Sequence, residues 1–190
     1  MIGAALSRQL AEEELKYLAT HDPLTDLPNR LLFADRFQQA VSRASRSGEK
    51  VAVICLDLDK FKSVNDTYGH PVGDKALTEV AGRLSGSLRG SDTCARIGGD
   101  EFGIIADNLK NETDAIRVME KLHLALFPEL ELKGKKIKIS ASMGASLYPD
   151  HGTDLETLLS SADKALYQVK NTQTIFRVFK EDEQYSWLKE

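Results

Sequence analysis

Four acids and the polar run between them carry the chemistry this sequence offers. Asp57 and Asp59 flank Leu58 at the end of an apolar run, residues 51–56. Asp100 and Glu101 follow two glycines in Arg96-Ile97-Gly98-Gly99-Asp100-Glu101-Phe102. Adjacent carboxylates repel, and the usual remedies are exposure to water or a bound cation. The glycine pair reads as a tight turn between two strands, so an exposed turn and a metal site both stand at this point. If the two segments are neighbouring strands, the carboxylates converge on an oxygen-rich site suited to Mg²⁺, with water and phosphate filling the remaining positions. Two such ions activate a hydroxyl and stabilise a leaving pyrophosphate. The plainer alternative is that Asp57 and Asp59 merely end a strand.

Residues 60–74, between the two acid pairs, hold Lys62, Asn65 and Asp74. Lysine neutralises phosphate as a point charge, and Asn65 with Asp74 could read a base edge. Guanine presents adjacent N–H donors that suit a carboxylate. Adenine lacks that pair, so Asp74 points to guanine. Singly, these are ordinary solvated polar residues. Their combination makes a nucleotide site competitive.

Apolar spacing outlines the elements that must position these groups. Residues 94–97 and 102–106 supply the two strands of the hairpin. Phe33, Phe37, Ala40, Val41 and Ala44 share one helical face, which Gly48 is placed to cap. Residues 50–59 read as a buried strand, followed by a polar, partly helical passage. Val72, Ala76, Leu77, Val80, Leu84 and Leu88 mark a second helix. Ala115, Ile116, Met119, Leu122 and Leu126 mark a third, halted by Pro128. Ile137, Ile139, Ala141, Met143 and Ala145 alternate through 136–148, which predicts one strand with one buried face. Thr153 and Glu156 form a capping box for a helix striped from Leu155 to Val169, and residues 175–179 close the domain as a short strand. The prolines of His21-Asp22-Pro23-Leu24-Thr25-Asp26-Leu27-Pro28-Asn29-Arg30 mark a junction, which Asp22, Asn29 and Arg30 are expected to brace.

Three units result: a linker helix over 1–20, one α/β domain with a mixed sheet over 21–180, and a tail over 181–190. Leu6, Leu10, Leu15 and Leu18 give the first its helical pattern, with a frayed terminus as the alternative. The tail is polar except for Tyr185, Trp187 and Leu188 and receives no role. At 190 residues, 42% hydrophobic and 28% charged, the chain buries a core without disulfides. A net charge of −4 offers no basic field for a nucleic-acid polymer. No run is long enough to span a membrane, no signal-peptide pattern opens the chain, and Cys55 and Cys94 read as buried thiols of a reducing cytoplasm.

Over about residues 22–179 the sequence resembles the GGDEF-domain diguanylate cyclases. The resemblance rests on Asp22-Pro-Leu-Thr-Asp-Leu-Pro-Asn-Arg30, Asp57-Leu-Asp-Lys-Phe-Lys62, Asn65-Asp66, Gly69-His70, Gly73-Asp74, Arg96-Ile-Gly-Gly-Asp-Glu-Phe102, and Asp163-Lys-Ala-Leu-Tyr167 with Lys170, in the family's order. It implies a palm-like α/β fold, a mixed sheet flanked by helices and carrying the Gly-Gly-Asp-Glu hairpin. It also implies that two GTP molecules are joined into cyclic di-GMP with release of two pyrophosphates. Each domain would hold one GTP, so a homodimer is required.

Carried over by position, Asp57, the Leu58 carbonyl, Asp100 and Glu101 would bind Mg²⁺ or Mn²⁺, and Asp100 or Glu101 would be the base, with Asp100 the first choice. Lys62 would stabilise developing phosphate charge. Phe61, Arg96, Gly98, Gly99 and Lys170 would contact substrate, and Asn65, Asp74 and His70 would form the guanine pocket. Arg89-Gly90-Ser91-Asp92 matches the family's inhibitory product site, through Arg89 and Asp92. One departure stands out: Thr174 occupies the place of an arginine expected to hold the triphosphate, which predicts weaker GTP binding. A GTP- or product-binding module without turnover is the alternative, and Asp74 argues against an adenine-using enzyme. The full-length protein is expected to carry a sensor domain absent from this chain.

Overall fold

Alternating burial builds one sheet with both faces covered. The computed structural model describes residues 14–132, 134–172 and 174–180. Strand β1 (Lys50–Leu58) lies at the centre, antiparallel to β3 (Glu101–Leu109) on one side and to β6 (Ala141–Tyr148) on the other. Strand β2 (Thr93–Gly98) pairs outside β3, and β7 (Phe176–Val178) adds in parallel to β6, so the order is β2-β3-β1-β6-β7. A separate ribbon pairs β4 (Leu130–Leu132) with β5 (Lys135–Ile137). This mixed, mostly antiparallel sheet with helices on both faces is the palm-like architecture expected from the sequence.

The period of two in β1 feeds two cores. Val51 and Val53 pack with Phe33 and Phe37 of α1 (Arg30–Ser47) and with Leu158 of α5 (Leu155–Lys170). Ala52, Ile54, Leu56 and Leu58 face the other way, toward Val80 and Leu84 of α3 (His70–Ser87) and Met119 and Leu122 of α4 (Glu112–Leu126). Each large apolar side chain buried this way contributes about 1.5–3 kcal/mol. The same alternation carries Cys55 and Asp57 to the α1/α5 side, so Asp57 rides on a strand clamped from both faces. Helix α2 (Phe61–Tyr68) follows β1 at its carboxyl end.

Asn29 caps α1 by accepting the N–H groups of Leu31 and Leu32, and Gly48 closes it at φ 74°. Two local expectations are corrected. The cap of α5 is Asp154, whose carboxylate accepts the Thr157 N–H at 2.9 Å and hydroxyl at 2.8 Å; a carboxylate takes both bonds, which the box of Thr153 and Glu156 would have divided. The single strand expected over 136–148 divides into β5 and β6. Between them the chain turns to Asp59: the Asp59 N–H donates to the Ser140 carbonyl, and the Ser140 and Ser142 hydroxyls donate to its two carboxylate oxygens, both at 2.7 Å. Strand β6 is buried on both faces, because it lies between β1 and β7 with α5 on one side and α4 on the other.

Residues 14–20 are helical; Leu6, Leu10 and the 181–190 tail lie outside the described residues. Among the described residues no helix is long and apolar enough to cross a membrane.

Candidate active site

The register of the two inner strands decides where the acids meet. Asp57 of β1 stands opposite Glu101 of β3, and the Leu58 N–H donates to the Asp100 carbonyl at 3.2 Å. The turn between β2 and β3 is Gly99-Asp100, and Gly99 has φ 49°, a conformation a side chain would strain. From α5, Lys170 Nζ reaches Asp57 Oδ1 at 2.8 Å. Asp163 lies two turns earlier on the same helix and acts on Glu101 and Cys55.

Glu101 holds its proton above the usual carboxylate range. Partial burial is the first cause, followed by the negative charges of Asp57, Asp163 and Asp100, with Lys170 opposing them. Among the described residues no three His, Cys, Asp or Glu side chains are gathered closely enough to hold a metal by themselves. The Lys170 ammonium already sits against Asp57 as a cation would, and hard oxygen donors suit Mg²⁺ or Mn²⁺. The residues therefore fit a divalent ion whose coordination water and phosphate oxygens complete. Asp59 is oriented by two serines, each of its oxygens accepting one hydroxyl. The two thiols are inert: burial pushes Cys94 up to about 12, and burial with the nearby Asp163 pushes Cys55 higher still.

A cleft of about 820 Å³ opens beside these acids, between α2, the end of α5 and the chain around β5. Asp57, Lys60, Lys136, Lys138, Lys170 and Thr174 are among its walls. Lys60 takes φ 54° to turn the chain from β1 into α2.

Asn65, His70 and Asp74 do not line this cleft. They gather at the corner where Gly69 joins α2 to α3, and the Asn65 side chain lies so close over Gly73 that a Cβ there would meet its Oδ1 at 1.9 Å. Phe61 is buried beneath the same corner, whereas Lys62 is exposed at the start of α2. Helix α2 therefore lies between this corner and the cleft. Gly98 and Gly99 leave open space at the hairpin, with no atom within 4 Å of a Cβ position.

Arg96, expected to contact substrate, is engaged within the protein. Its guanidinium donates to Asp22 Oδ1 and Oδ2 at 3.0 and 3.2 Å and to the Gly99 carbonyl at 2.8–2.9 Å, so its donors brace the hairpin. Asp22 also accepts the N–H and hydroxyl of Thr25, and Asn29 donates to the Ala19 carbonyl. Asp22 and Asn29 thus tie the junction as expected. Arg30 makes no such contact among the described residues.

Arg89 and Asp92 do not form a side-chain ion pair; Asp92 accepts the Arg89 N–H at 3.0 Å and the Asp107 N–H at 3.2 Å. The Arg89 guanidinium is left to a second pocket, about 430 Å³, which Arg117 and Lys121 of α4 also line. Sequence reasoning missed these two cations, as it missed Lys136 and Lys138; Lys60 and Asp163 were read only as parts of motifs, with no role of their own.

Residues 19–174 match the family described as "Diguanylate cyclase, GGDEF domain". The chain is 43% identical over 171 residues to the bifunctional diguanylate cyclase/cyclic di-GMP phosphodiesterase MucR of Pseudomonas aeruginosa, covering 90% of the chain and 24% of MucR. It is 37% identical to the solved GGDEF domain of TpbB from the same organism, with a TM-score of 0.80 over 84% of this chain and 94% of that one. The coiled coil and GGDEF domain of DgcB from Caulobacter crescentus, solved in complex with c-di-GMP, match at 28% identity and a TM-score of 0.78, over 93% and 94% of the two chains. The chain spans about a quarter to a third of the length of the curated relatives it matches, 24% of MucR and 36% of TpbB.

Proposed function

Since the chain belongs to the GGDEF-domain family, we propose that it is a diguanylate cyclase, joining two molecules of GTP into cyclic di-GMP and releasing two pyrophosphates. The observation that carries this reading is the register Asp57–Glu101 with Lys170 on Asp57: a carboxylate pair and a cation at the mouth of a cleft sized for a polyphosphate. Asp57, the Leu58 carbonyl, Asp100 and Glu101 would hold Mg²⁺ or Mn²⁺, which supplies positive charge to the phosphate oxygens when bound. Asn65, Asp74 and His70 select guanine at the α2–α3 corner. Lys62, the Phe61 backbone and Lys170 steady the phosphates, and Gly98 and Gly99 let the hairpin approach.

In each half-reaction the 3′-oxygen of one GTP bonds to the α-phosphorus of the other. The bond from that phosphorus to the bridging oxygen breaks, and its electron pair leaves with pyrophosphate. The proton of the hydroxyl passes to the Asp100–Glu101 pair, with Asp100 the first choice as base. Because each domain offers one such site, the two nucleotides meet only when two domains face each other. Holding them there supplies much of the rate.

The test is incubation with GTP and Mg²⁺, followed by chromatography for the cyclic dinucleotide and an assay for pyrophosphate. Wild-type protein forms both products, and Glu101→Ala loses at least about a hundred-fold in rate. One observation favours a second reading, a binding module without turnover: four residues after Lys170 the cleft lining carries the neutral Thr174. No product at high protein concentration would establish that reading instead.

Product inhibition is part of the proposal. Arg89 and Asp92, with Arg117 and Lys121 across the second pocket, offer guanidinium and ammonium groups to a phosphodiester and hydrogen-bond partners to guanine. A product-bound relative, DgcB, shares the fold. Arg89→Ala is expected to weaken cyclic di-GMP binding at least about ten-fold by calorimetry; unchanged affinity would remove the assignment.

A further inference from the structure

The far wall of the active-site cleft carries two lysines, Lys136 and Lys138; Glu131 stands across from Lys136 in the β4–β5 ribbon but forms no ion pair with either among the described residues. Burial alternates from residue 136 to 141, so Lys136, Lys138 and Ser140 stand exposed while Ile137, Ile139 and Ala141 enter the core. The Ser140 hydroxyl donates to Asp59, which anchors the inner end of this row beside the acid-bearing strand. The two lysines extend the row outward along the cleft that also holds Asp57 and Lys170. Lys138 Nζ lies 5.8 Å from the Phe127 ring centroid, and among the described residues neither lysine is paired with a carboxylate.

The cleft also holds two acids: Asp57 is paired with Lys170, and Asp59 accepts two serine hydroxyls. Lys60 adds a third free ammonium between α2 and that wall. Like charges gathered in a concave site raise the local concentration of a polyanion. Beyond Lys170 the end of α5 adds no further cation to the cleft among the described residues: Thr174 is neutral, and its hydroxyl lies 2.7 Å from that of Thr172.

Resting on the reading of GTP as substrate, we propose that Lys136 and Lys138 bind the β- and γ-phosphates and keep hold of them as pyrophosphate departs. The lysines share this cleft with Asp57 and Lys170, the groups assigned to metal and phosphate, whereas Asn65, His70 and Asp74 lie outside it. The terminal phosphates are the part of the nucleotide that reaches this cleft. Each ammonium makes charge-assisted bonds to phosphate oxygens without a fixed direction, which suits a group that moves during the reaction.

The experiment compares wild-type protein with Lys136→Gln/Lys138→Gln by calorimetry in Mg²⁺, using GTP with a methylene bridge between its α- and β-phosphates, then GMP, then inorganic pyrophosphate. Both lysines are exposed, and thermal melts verify the fold. The double variant is expected to lose about ten-fold in affinity for the triphosphate and for pyrophosphate while GMP binding stays within about two-fold. Adding Thr174→Arg to the double variant restores part of the loss by returning a cation to the cleft lining. Unchanged triphosphate affinity, or an equal loss for GMP, overturns the inference and leaves the cyclase reading standing. Wild-type protein that binds pyrophosphate through these lysines but shows no preference for the guanine nucleotide overturns the cyclase reading and leaves this inference standing.

Discussion

At the base of the Gly-Gly-Asp-Glu hairpin every charge has its partner, whereas at the tip negative charge is in excess. Arg96 at the base bonds both oxygens of Asp22 and the Gly99 carbonyl, with the side chains only 14% and 19% exposed. Partial burial alone would raise the Asp22 carboxyl, but the bonds from Thr25 and Arg96 outweigh it and hold the group below its usual range. Five residues on from Arg96 the balance reverses: partial burial and the charges of Asp57, Asp163 and Asp100 hold Glu101 above its usual range. The base therefore contributes stability with no ligand present. The tip keeps a repulsion that only an added cation removes, and such an unsatisfied group marks where a ligand gains binding energy.

Arg96→Met gives the largest effect on the folded state. It leaves a half-buried Asp22 with only Thr25 and returns the Gly99 carbonyl to water, which costs about 2 kcal/mol by urea denaturation at neutral pH. Because the folded pKa of Asp22 is lowered, its stabilisation is present above the ordinary carboxylate range and is lost as pH falls through the folded value. The gap between wild type and variant must therefore narrow in acid. A gap that stays constant with pH would show that the brace does not depend on the Asp22 charge.

Glu101→Gln acts in the opposite direction. A raised folded pKa gives a contribution present in acid and lost as pH rises through the folded value, so ionised Glu101 opposes folding at neutral pH. Replacing it should stabilise the metal-free protein at neutral pH, by less than about 1 kcal/mol because solvent screens a largely exposed carboxylate. The gain should vanish in acid. Mg²⁺ should raise the melting temperature of wild type more than that of the variant, closing the gap from the other side. A variant less stable than wild type without metal would contradict the excess of charge at the tip.

The same contrast explains which parts were legible in the sequence. Local rules are written in nearby residues: the stripe Phe33, Phe37, Ala40 and Ala44, the glycine cap at Gly48 and the strand-turn-strand run through Gly99 are all found where spacing placed them. The acid pair was legible as chemistry, because Asp57 and Glu101 needed only the assumption that two apolar runs are neighbours. Illegible were contacts set by pairings between distant segments. Ser140 and Ser142 take Asp59 across 81 and 83 residues, which splits a strand the alternation alone would have continued. Arg96 sits inside a motif that suggests substrate, but its partner Asp22 lies 74 residues away. Lys136 and Lys138 look like ordinary surface lysines until β6 aligns their row with β1 and its acids.

Lys170→Met gives the smallest change in stability and the sharpest separation of the two ends. The pair with Asp57 joins a lysine 43% exposed to a carboxylate 17% exposed, so its loss costs at most about 1 kcal/mol. Its effect on ligands divides by sign. In the metal-free protein the ammonium neutralises Asp57 at 2.8 Å, so Mg²⁺ must displace it. Without Lys170 the acids Asp57 and Glu101 face each other uncompensated, and Mg²⁺ alone should bind several-fold more tightly, on the order of 1 kcal/mol. The Mg²⁺ complex of α,β-methylene GTP should bind several-fold more weakly, because the displaced ammonium is then missing from the phosphates. Calorimetric titrations of the same variant with each ligand read both signs. If the two affinities move together, Lys170 is a structural partner of Asp57 at every stage, and the tip would belong with the base as a closed, self-satisfied charge pair.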